Sequence, residues 1–131
     1  MIKFTLQQIK KHFSKYDYSS YDYVYGIPKN GLIVSLAVIP LRQILSIDEL
    51  LEKLREKNNV LIIDDIKDSG RTERKMLAII KGYEDQCKFI YFLDKQQDKV
   101  TDWISFPWED WEEKVKDEED LLLRKQQYAE K

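Results

Sequence analysis

The sequence predicts an α/β fold in which a parallel sheet is flanked by helices, because strand-like and helix-like patterns alternate along the chain. Residues 59–64 and 87–93 are apolar runs rich in β-branched or aromatic side chains, which is typical of buried strands. A helix is predicted between them, over residues 72–81, and this strand–turn–helix order favours parallel pairing. A chain of 131 residues is predicted to form one domain, residues 1–131.

The amino-terminal part is predicted to contain two helices and a short strand. Apolar residues recur at helical spacing over residues 6–14, after the potential N-cap Thr5. A strand over residues 21–25 ends at the turn sequence GIPKNG, whose Gly, Pro and Asn favour a turn. An apolar helix over about residues 31–39 follows that turn.

The middle and the end of the chain continue the alternation. Residues 41–45 fit a short strand, and Ser46 to Glu49 form a capping box before a helix with leucines on its buried face. After the strand at 87–93, the aromatic segment DWISFPWEDW is predicted to contain a last strand. The charged tail, residues 110–128, is predicted to form a C-terminal helix.

Composition excludes several classes of protein. Lys and Arg number 22 and Asp and Glu 24, so the net charge of −2 gives no concentrated basic face for nucleic acid. The single cysteine, Cys87, excludes an internal disulfide and suits a reducing compartment. No apolar run reaches the roughly 18 residues of a membrane span, and the amino terminus does not resemble a signal peptide. The sequence therefore predicts a cytoplasmic protein that binds neither nucleic acid nor membrane.

The segment VLIIDDIKDSGRT, residues 60–72, carries the strongest chemical pattern. Asp64 and Asp65 follow an apolar strand, and Ser69 to Thr72 open a helix. Free N–H groups at a helix N-terminus can hold a phosphate, and Gly70 lets the backbone approach it closely. Carboxylates at this place suit ribose hydroxyls or Mg²⁺ with its bound waters. A ligand that carries phosphate and a cation would explain why three carboxylates lie so close in sequence.

The same string resembles the phosphoribosyl-diphosphate (PRPP) motif of type I phosphoribosyltransferases, in which an apolar strand precedes two acids, two spacers, Asp, Ser or Thr, Gly, any residue and Thr. YGIPKNGLIVSLAV is similar to the pyrophosphate loop of that family, and DWISFPWE resembles the base-recognition segment of its bacterial xanthine–guanine and hypoxanthine members. The resemblance covers about residues 4–110 in the right order. It implies a Rossmann-like fold, a homodimer, and transfer of a 5-phosphoribosyl group from PRPP to a 6-oxopurine-like base with Mg²⁺.

The resemblance also implies a role for each matching residue. Asp64 and Asp65 would hold the ribose hydroxyls and Mg²⁺, and Asp68 would act on the imidazole ring of the base as general acid or base. The peptide bond Pro28–Lys29 would be cis. The remaining assignments are Ser69, Gly70, Arg71 and Thr72 for the 5′-phosphate; Lys29, Asn30 and Gly31 for pyrophosphate; and Lys95, Trp103 and Ile104 for the base.

Departures from the family pattern keep other functions open. Lys95 lies only eight positions before Trp103, so a connecting stretch of the relatives is absent. About 30 residues separate the pyrophosphate loop from the PRPP strand, so the flexible lid of the relatives is missing, and residues 41–57 in its place are interpreted as one capped helix. Asn30 replaces a loop glycine, although Asn tolerates a positive φ angle. The alternatives are a PRPP- or nucleotide-binding sensor or regulator with reduced catalysis, and an interaction module that acts through its helical tail.

Overall fold

The computed structural model describes residues 2–39, 41–99 and 104–107. Elements are numbered in chain order. The strands are β1 (Ile2–Lys3), β2 (Tyr23–Gly26), β3 (Arg42–Ile44), β4 (Val60–Lys67), β5 (Cys87–Asp94) and β6 (Ile104–Ser105). The α-helices are α1 (Leu6–Phe13), α2 (Asn30–Val38), α3 (Ile47–Arg55) and α4 (Arg71–Ile79).

The chain divides into two compact units, of which the smaller comprises Met1–Gln8 and Asp102–Lys131. In this unit β1 and β6 pair in parallel, and the rings of Phe4 and Phe106 stack with centroids 6.4 Å apart. Phe106 is only 2% exposed. It is therefore a packed residue of this unit. The predicted tail helix, residues 110–128, lies outside the described residues.

The larger unit, Ile9–Thr101, contains a four-stranded sheet in the order β3-β2-β4-β5 with every pair parallel. The α/β class and the parallel sheet flanked by helices are confirmed. In the sheet, β3 lies next to β2 on one edge and β4 lies next to β2 on the other edge, so the chain reverses its direction across the sheet after β3. In open parallel sheets such a reversal leaves a crevice at the carboxyl ends of the two strands on either side of it. Here those strands are β2 and β4.

The core of the larger unit explains why these segments form strands and helices. Successive strand side chains alternate between faces, and residues of both parities in β4, such as Leu61 and Ile62, are buried, so the strand is covered on both faces as parallel sheets require. Helix α3 begins at the predicted capping box, where Ser46 accepts a hydrogen bond from the Glu49 N–H at 3.1 Å. One apolar cluster joins strands β2 to β4 with helices α3 and α4: Tyr23, Tyr25, Ile27, Ile44, Leu50, Leu54, Val60, Ile62, Met76 and Ile80.

Two predicted boundaries are wrong. The segment 41–57 is not one helix, because β3 pairs with β2 and the extended backbone of Ser46 prevents the helix from starting before Ile47. The strand at 59–64 does not end at the aspartates, because β5 extends far enough to pair with β4 as far as Lys67. Asp64 and Asp65 therefore lie within a strand. Among the described residues, no helix has the length and apolar character needed to cross a membrane.

Candidate functional site

The candidate site lies at the carboxyl ends of β2 and β4, next to the reversal of strand order. After β2 the chain enters helix α2 through Ile27 to Lys29, and after β4 it enters α4 through Asp68 to Gly70. Both helix N-termini therefore begin at this edge of the sheet. Their first N–H groups have no partner within the helix, which makes this edge suitable for an anionic ligand.

The turn after β4 encloses a small cavity. Gly70 precedes α4 with a φ of 81°, a left-handed conformation that favours glycine, and the Ser69 Oγ accepts from the Arg71 N–H at 3.3 Å. The cavity has a volume of about 70 Å³, so it takes one small group such as a phosphate rather than a whole nucleotide. Most of the residues that line it belong to the predicted PRPP motif. The lining consists of Asp64, Ile66, Lys67, Asp68, Ser69, Gly70, Arg71 and Thr72 from the motif, together with Glu73 and Tyr91.

The two adjacent aspartates have different surroundings. Asp64 is 8% exposed, and its Oδ1 accepts a hydrogen bond from the Asp65 N–H at 2.9 Å. Burial, reinforced by the neighbouring Asp65 side chain, raises the pKa of Asp64 to about 8. Asp65 is half-buried and accepts from the Ile66 N–H at 2.7 Å. A buried carboxylate with a raised pKa is a common feature of ligand sites.

The predicted pyrophosphate loop contacts β4 directly. The Asn30 Nδ2 donates to the Asp65 Oδ2 at 2.9 Å, which links the two predicted binding segments. A Cβ atom on Gly31 would lie 2.3 Å from the Ile63 carbonyl oxygen, so glycine is needed for the close approach of α2 to β4. Asn30 is not among the residues with a positive φ; its side chain is used instead. The Pro28–Lys29 bond is cis, as the resemblance implies.

Asp68 and Lys95 are brought together from two strand ends. The Lys95 Nζ lies 3.8 Å from the Asp68 Oδ2, and the Lys95 N–H donates to the Lys67 carbonyl at 2.9 Å. The Asp68 side chain is 73% exposed, so it projects from the turn into solvent. A carboxylate and an ammonium group thus stand side by side at the rim of the site.

The assignment of the other two residues to the base stays a prediction. Trp103 lies outside the described residues, and Ile104 belongs to β6 in the smaller unit. The His12 Nε2 lies 2.8 Å from the Tyr91 carbonyl oxygen, which ties helix α1 to β5. Cys87 packs against the core cluster, and burial raises the pKa of its thiol to about 11.

Three residues of the cavity were not identified from the sequence. Lys67 and Glu73 form an ion pair at 2.7 Å across the turn, and Tyr91 lies on β5 directly opposite Asp64. In the sequence, Lys67 and Glu73 look like ordinary solvated surface residues. Tyr91 lies within an apolar, aromatic run that indicates only a strand. The polar hydroxyl within that run was the one available signal.

The donor atoms fit Mg²⁺ that arrives with a phosphorylated ligand. Within the part of the chain that the structure describes, no three His, Cys, Asp or Glu side chains form a group that could hold a metal by themselves. Mg²⁺ is usually held by one or two carboxylates together with water and substrate phosphates. Asp64 and Asp65 supply two such groups, and a bound cation would displace the proton that Asp64 holds in the free protein.

Comparison with known proteins gives no family for this chain: no protein-family profile matches it, and no curated protein is significantly similar to it.

Proposed function

We propose that this chain transfers a 5-phosphoribosyl group from PRPP to a 6-oxopurine-like base and releases pyrophosphate. The observation that carries the proposal is the cavity at the end of β4, which joins Asp64 and Asp68 to the turn formed by residues 69–72. This turn supplies free N–H groups and hydroxyls for a 5′-phosphate, and the carboxylates supply acceptors for ribose hydroxyls. The Asn30–Asp65 hydrogen bond holds the second anion-binding loop against the first.

The polar groups at the site match the steps of this reaction. The bond between ribose C1′ and a pyrophosphate oxygen breaks, and a bond between C1′ and a ring nitrogen of the base forms. The proton displaced from the base goes to the Asp68 carboxylate, and the pyrophosphate oxygen that takes the bonding electrons is stabilised by Lys29 and the N–H groups of its loop. When bound at Asp64 and Asp65, Mg²⁺ would neutralise charge on the phosphates.

The Asp68–Lys95 pair supports a 6-oxopurine in particular. A 6-oxopurine carries a carbonyl oxygen beside the imidazole ring, so a single base can accept a hydrogen bond and donate one on neighbouring atoms. The Lys95 ammonium can only donate, and an ionised Asp68 can only accept. With 3.8 Å between the two groups, both can reach such a base at the same time.

A second candidate function is PRPP or nucleotide binding with little catalysis. Between the two anion-binding loops the described residues form α2, β3 and α3, and both β3 and α3 contribute to the core. Only short connections remain, so no segment of this region is long enough to close over the ribose as a lid. Because closure excludes water from the reacting carbon, its loss would favour hydrolysis or simple binding.

The test is a transfer assay with isotopically labelled PRPP, Mg²⁺ and a panel of bases, on the unmodified chain and on Asp68→Asn. We expect labelled nucleotide from the unmodified chain and a roughly 10²- to 10⁴-fold lower kcat in Asp68→Asn, with PRPP affinity nearly unchanged. Asp85→Asn, an exposed carboxylate outside the site, is the matched control and should keep full activity.

The possible results separate the candidates. Equal loss of affinity and turnover in Asp68→Asn would make Asp68 a binding residue rather than the general base. Tight PRPP binding without transfer or hydrolysis would favour the sensor. A homodimer stays a prediction from the resemblance, and sedimentation would test it.

A further inference from the structure

Tyr91 is placed beside the predicted ligand by the register of the sheet. It pairs with Asp64 across the parallel strands β4 and β5. Paired residues on neighbouring strands project from the same face of a sheet, so the two side chains lie next to each other. Both line the cavity of about 70 Å³ that also contains residues 69–72.

The hydroxyl of Tyr91 is buried and has no hydrogen-bond partner among the described residues. Three carboxylates act on it, those of Glu73, Asp64 and Asp94, and Glu73 has the largest influence, both as a charge and as an acceptor, although its contact lacks the geometry of a hydrogen bond. The Glu73 carboxylate is already paired with the Lys67 ammonium at 2.7 Å. A buried hydroxyl without a partner destabilises a fold, so its presence needs an explanation.

The state of the hydroxyl determines what it can bind. A tyrosine phenol, whose ordinary pKa is about 10, is protonated at neutral pH and can donate one hydrogen bond. The oxygens of a phosphate or of a ribose hydroxyl are acceptors of the required kind.

We propose that Tyr91 is a ligand-binding residue whose hydroxyl donates a hydrogen bond to the phosphorylated ribose in this cavity. The inference rests on the proposed function, because it takes a ribose phosphate as the ligand. It adds a contact from β5 to a cavity otherwise lined by the end of β4 and the start of α4 with the turn between them. The unpaired hydroxyl of the free protein is then a group that becomes paired when the ligand binds.

The test compares Tyr91→Phe with Tyr23→Phe, since both substitutions remove one hydroxyl from a strand tyrosine of the same sheet. The Tyr23 hydroxyl accepts a hydrogen bond from the Arg42 guanidinium, and Tyr23 lies at the first residue of β2, away from the carboxyl ends. Affinity for ribose 5-phosphate is measured by calorimetry, and thermal unfolding is measured without ligand.

We expect opposite results from the two variants. Tyr91→Phe should melt roughly 2–6 °C higher, because an unpaired buried hydroxyl is removed, and should bind ribose 5-phosphate about 3- to 10-fold more weakly. Tyr23→Phe should melt lower, because it loses a hydrogen bond to a charged group, and should bind with unchanged affinity.

Each other result overturns the inference. Unchanged affinity in Tyr91→Phe shows that the hydroxyl does not touch the ligand, whatever its melting temperature. Weaker binding together with a lower melting temperature shows that the hydroxyl is paired in the free protein, for example with Glu73, and supports the fold instead. If the unmodified chain binds neither ribose 5-phosphate nor PRPP, the proposed function fails as well, which distinguishes that failure from the first two.

Discussion

The polar groups at the two ends of the four-stranded sheet differ in whether they have hydrogen-bond partners. At the amino end, the hydroxyl of Tyr23 is paired with Arg42, and the Lys53 ammonium lies 5.2 Å from the centre of the same ring. At the carboxyl end, Asp64 is buried with a raised pKa, and the hydroxyl of Tyr91 has no partner. The Tyr23 hydroxyl at the amino end is thus paired, whereas the Tyr91 hydroxyl at the carboxyl end has no hydrogen-bond partner among the described residues.

Such a difference is expected where a chain gives up stability for function. Buried polar groups in a fold are normally paired, and exceptions are concentrated at binding and catalytic sites. The apolar cluster between β2, β4, α3 and α4 contains no such exception among its members. The variants below test whether the two ends respond as differently as their contacts imply.

The largest expected loss of stability comes from Gly31→Ala. The added Cβ would lie 2.3 Å from the Ile63 carbonyl oxygen and 3.0 Å from the Asp64 Cα, and backbone atoms in a central strand cannot move aside. We expect the free energy of unfolding to fall by about 3 kcal/mol, although Ala normally favours a helix over Gly. Ligand binding should be lost too, because α2 would move away from β4. Chemical denaturation and calorimetry measure the two effects.

Gly82→Ala is the matched control for that variant. Gly82 has a φ of 94°, and a Cβ there would meet no atom within 4 Å, so only the left-handed backbone is penalised. A loss of about 1 kcal/mol with ligand binding intact is expected. Equal losses in the two variants would mean that the close approach of α2 to β4 is unimportant.

A smaller effect with a distinctive pH dependence is expected from Asp64→Asn. Because the pKa of Asp64 rises from 3.8 to about 8 on folding, the folded state retains a proton that the unfolded state releases. The stability of the unmodified chain should therefore fall as pH rises from about 4 to about 8, and this contribution should vanish in the variant. We expect Asp64→Asn to gain about 1–3 kcal/mol over that range in metal-free buffer.

The Asp64→Asn variant can keep the local hydrogen bond, because its amide oxygen can still accept from the Asp65 N–H. Ligand binding in Mg²⁺ should nevertheless weaken, because an amide replaces a carboxylate donor. The measurement is chemical denaturation of both proteins at several pH values. If the free energy of unfolding changes with pH in the same way in both, Asp64 is ionised and solvated in the free fold.

The sequence predicted the scaffold better than the site, for a physical reason. Apolar periodicity located β4, β5 and α3, because burial acts on each segment separately. The length of β4 depends on its partner β5, and the pairing of Asn30 with Asp65 depends on how two loops meet, so neither could be predicted from local pattern. Tyr91 was missed because its significance comes from Asp64 on the neighbouring strand.

The motif from Asp64 to Thr72 is the part of the candidate site that is easiest to recognise in the sequence. Its residues are contiguous, so the strand end and the helix start bring them together without help from distant segments. The residues assigned to the base, Lys95, Trp103 and Ile104, come from two separate places in the chain. The Lys95 ammonium lies 3.8 Å from the Asp68 carboxylate.

The most direct test of the central claim is thermal unfolding of the unmodified chain with PRPP and Mg²⁺. A ligand that binds only the folded state must raise the melting temperature, and the stabilisation reaches about 2.7 kcal/mol at a hundred times the Kd. We predict a concentration-dependent rise that is strongly reduced in Asp64→Asn. No rise at millimolar PRPP would contradict the assignment of the carboxyl end of the sheet as a PRPP site.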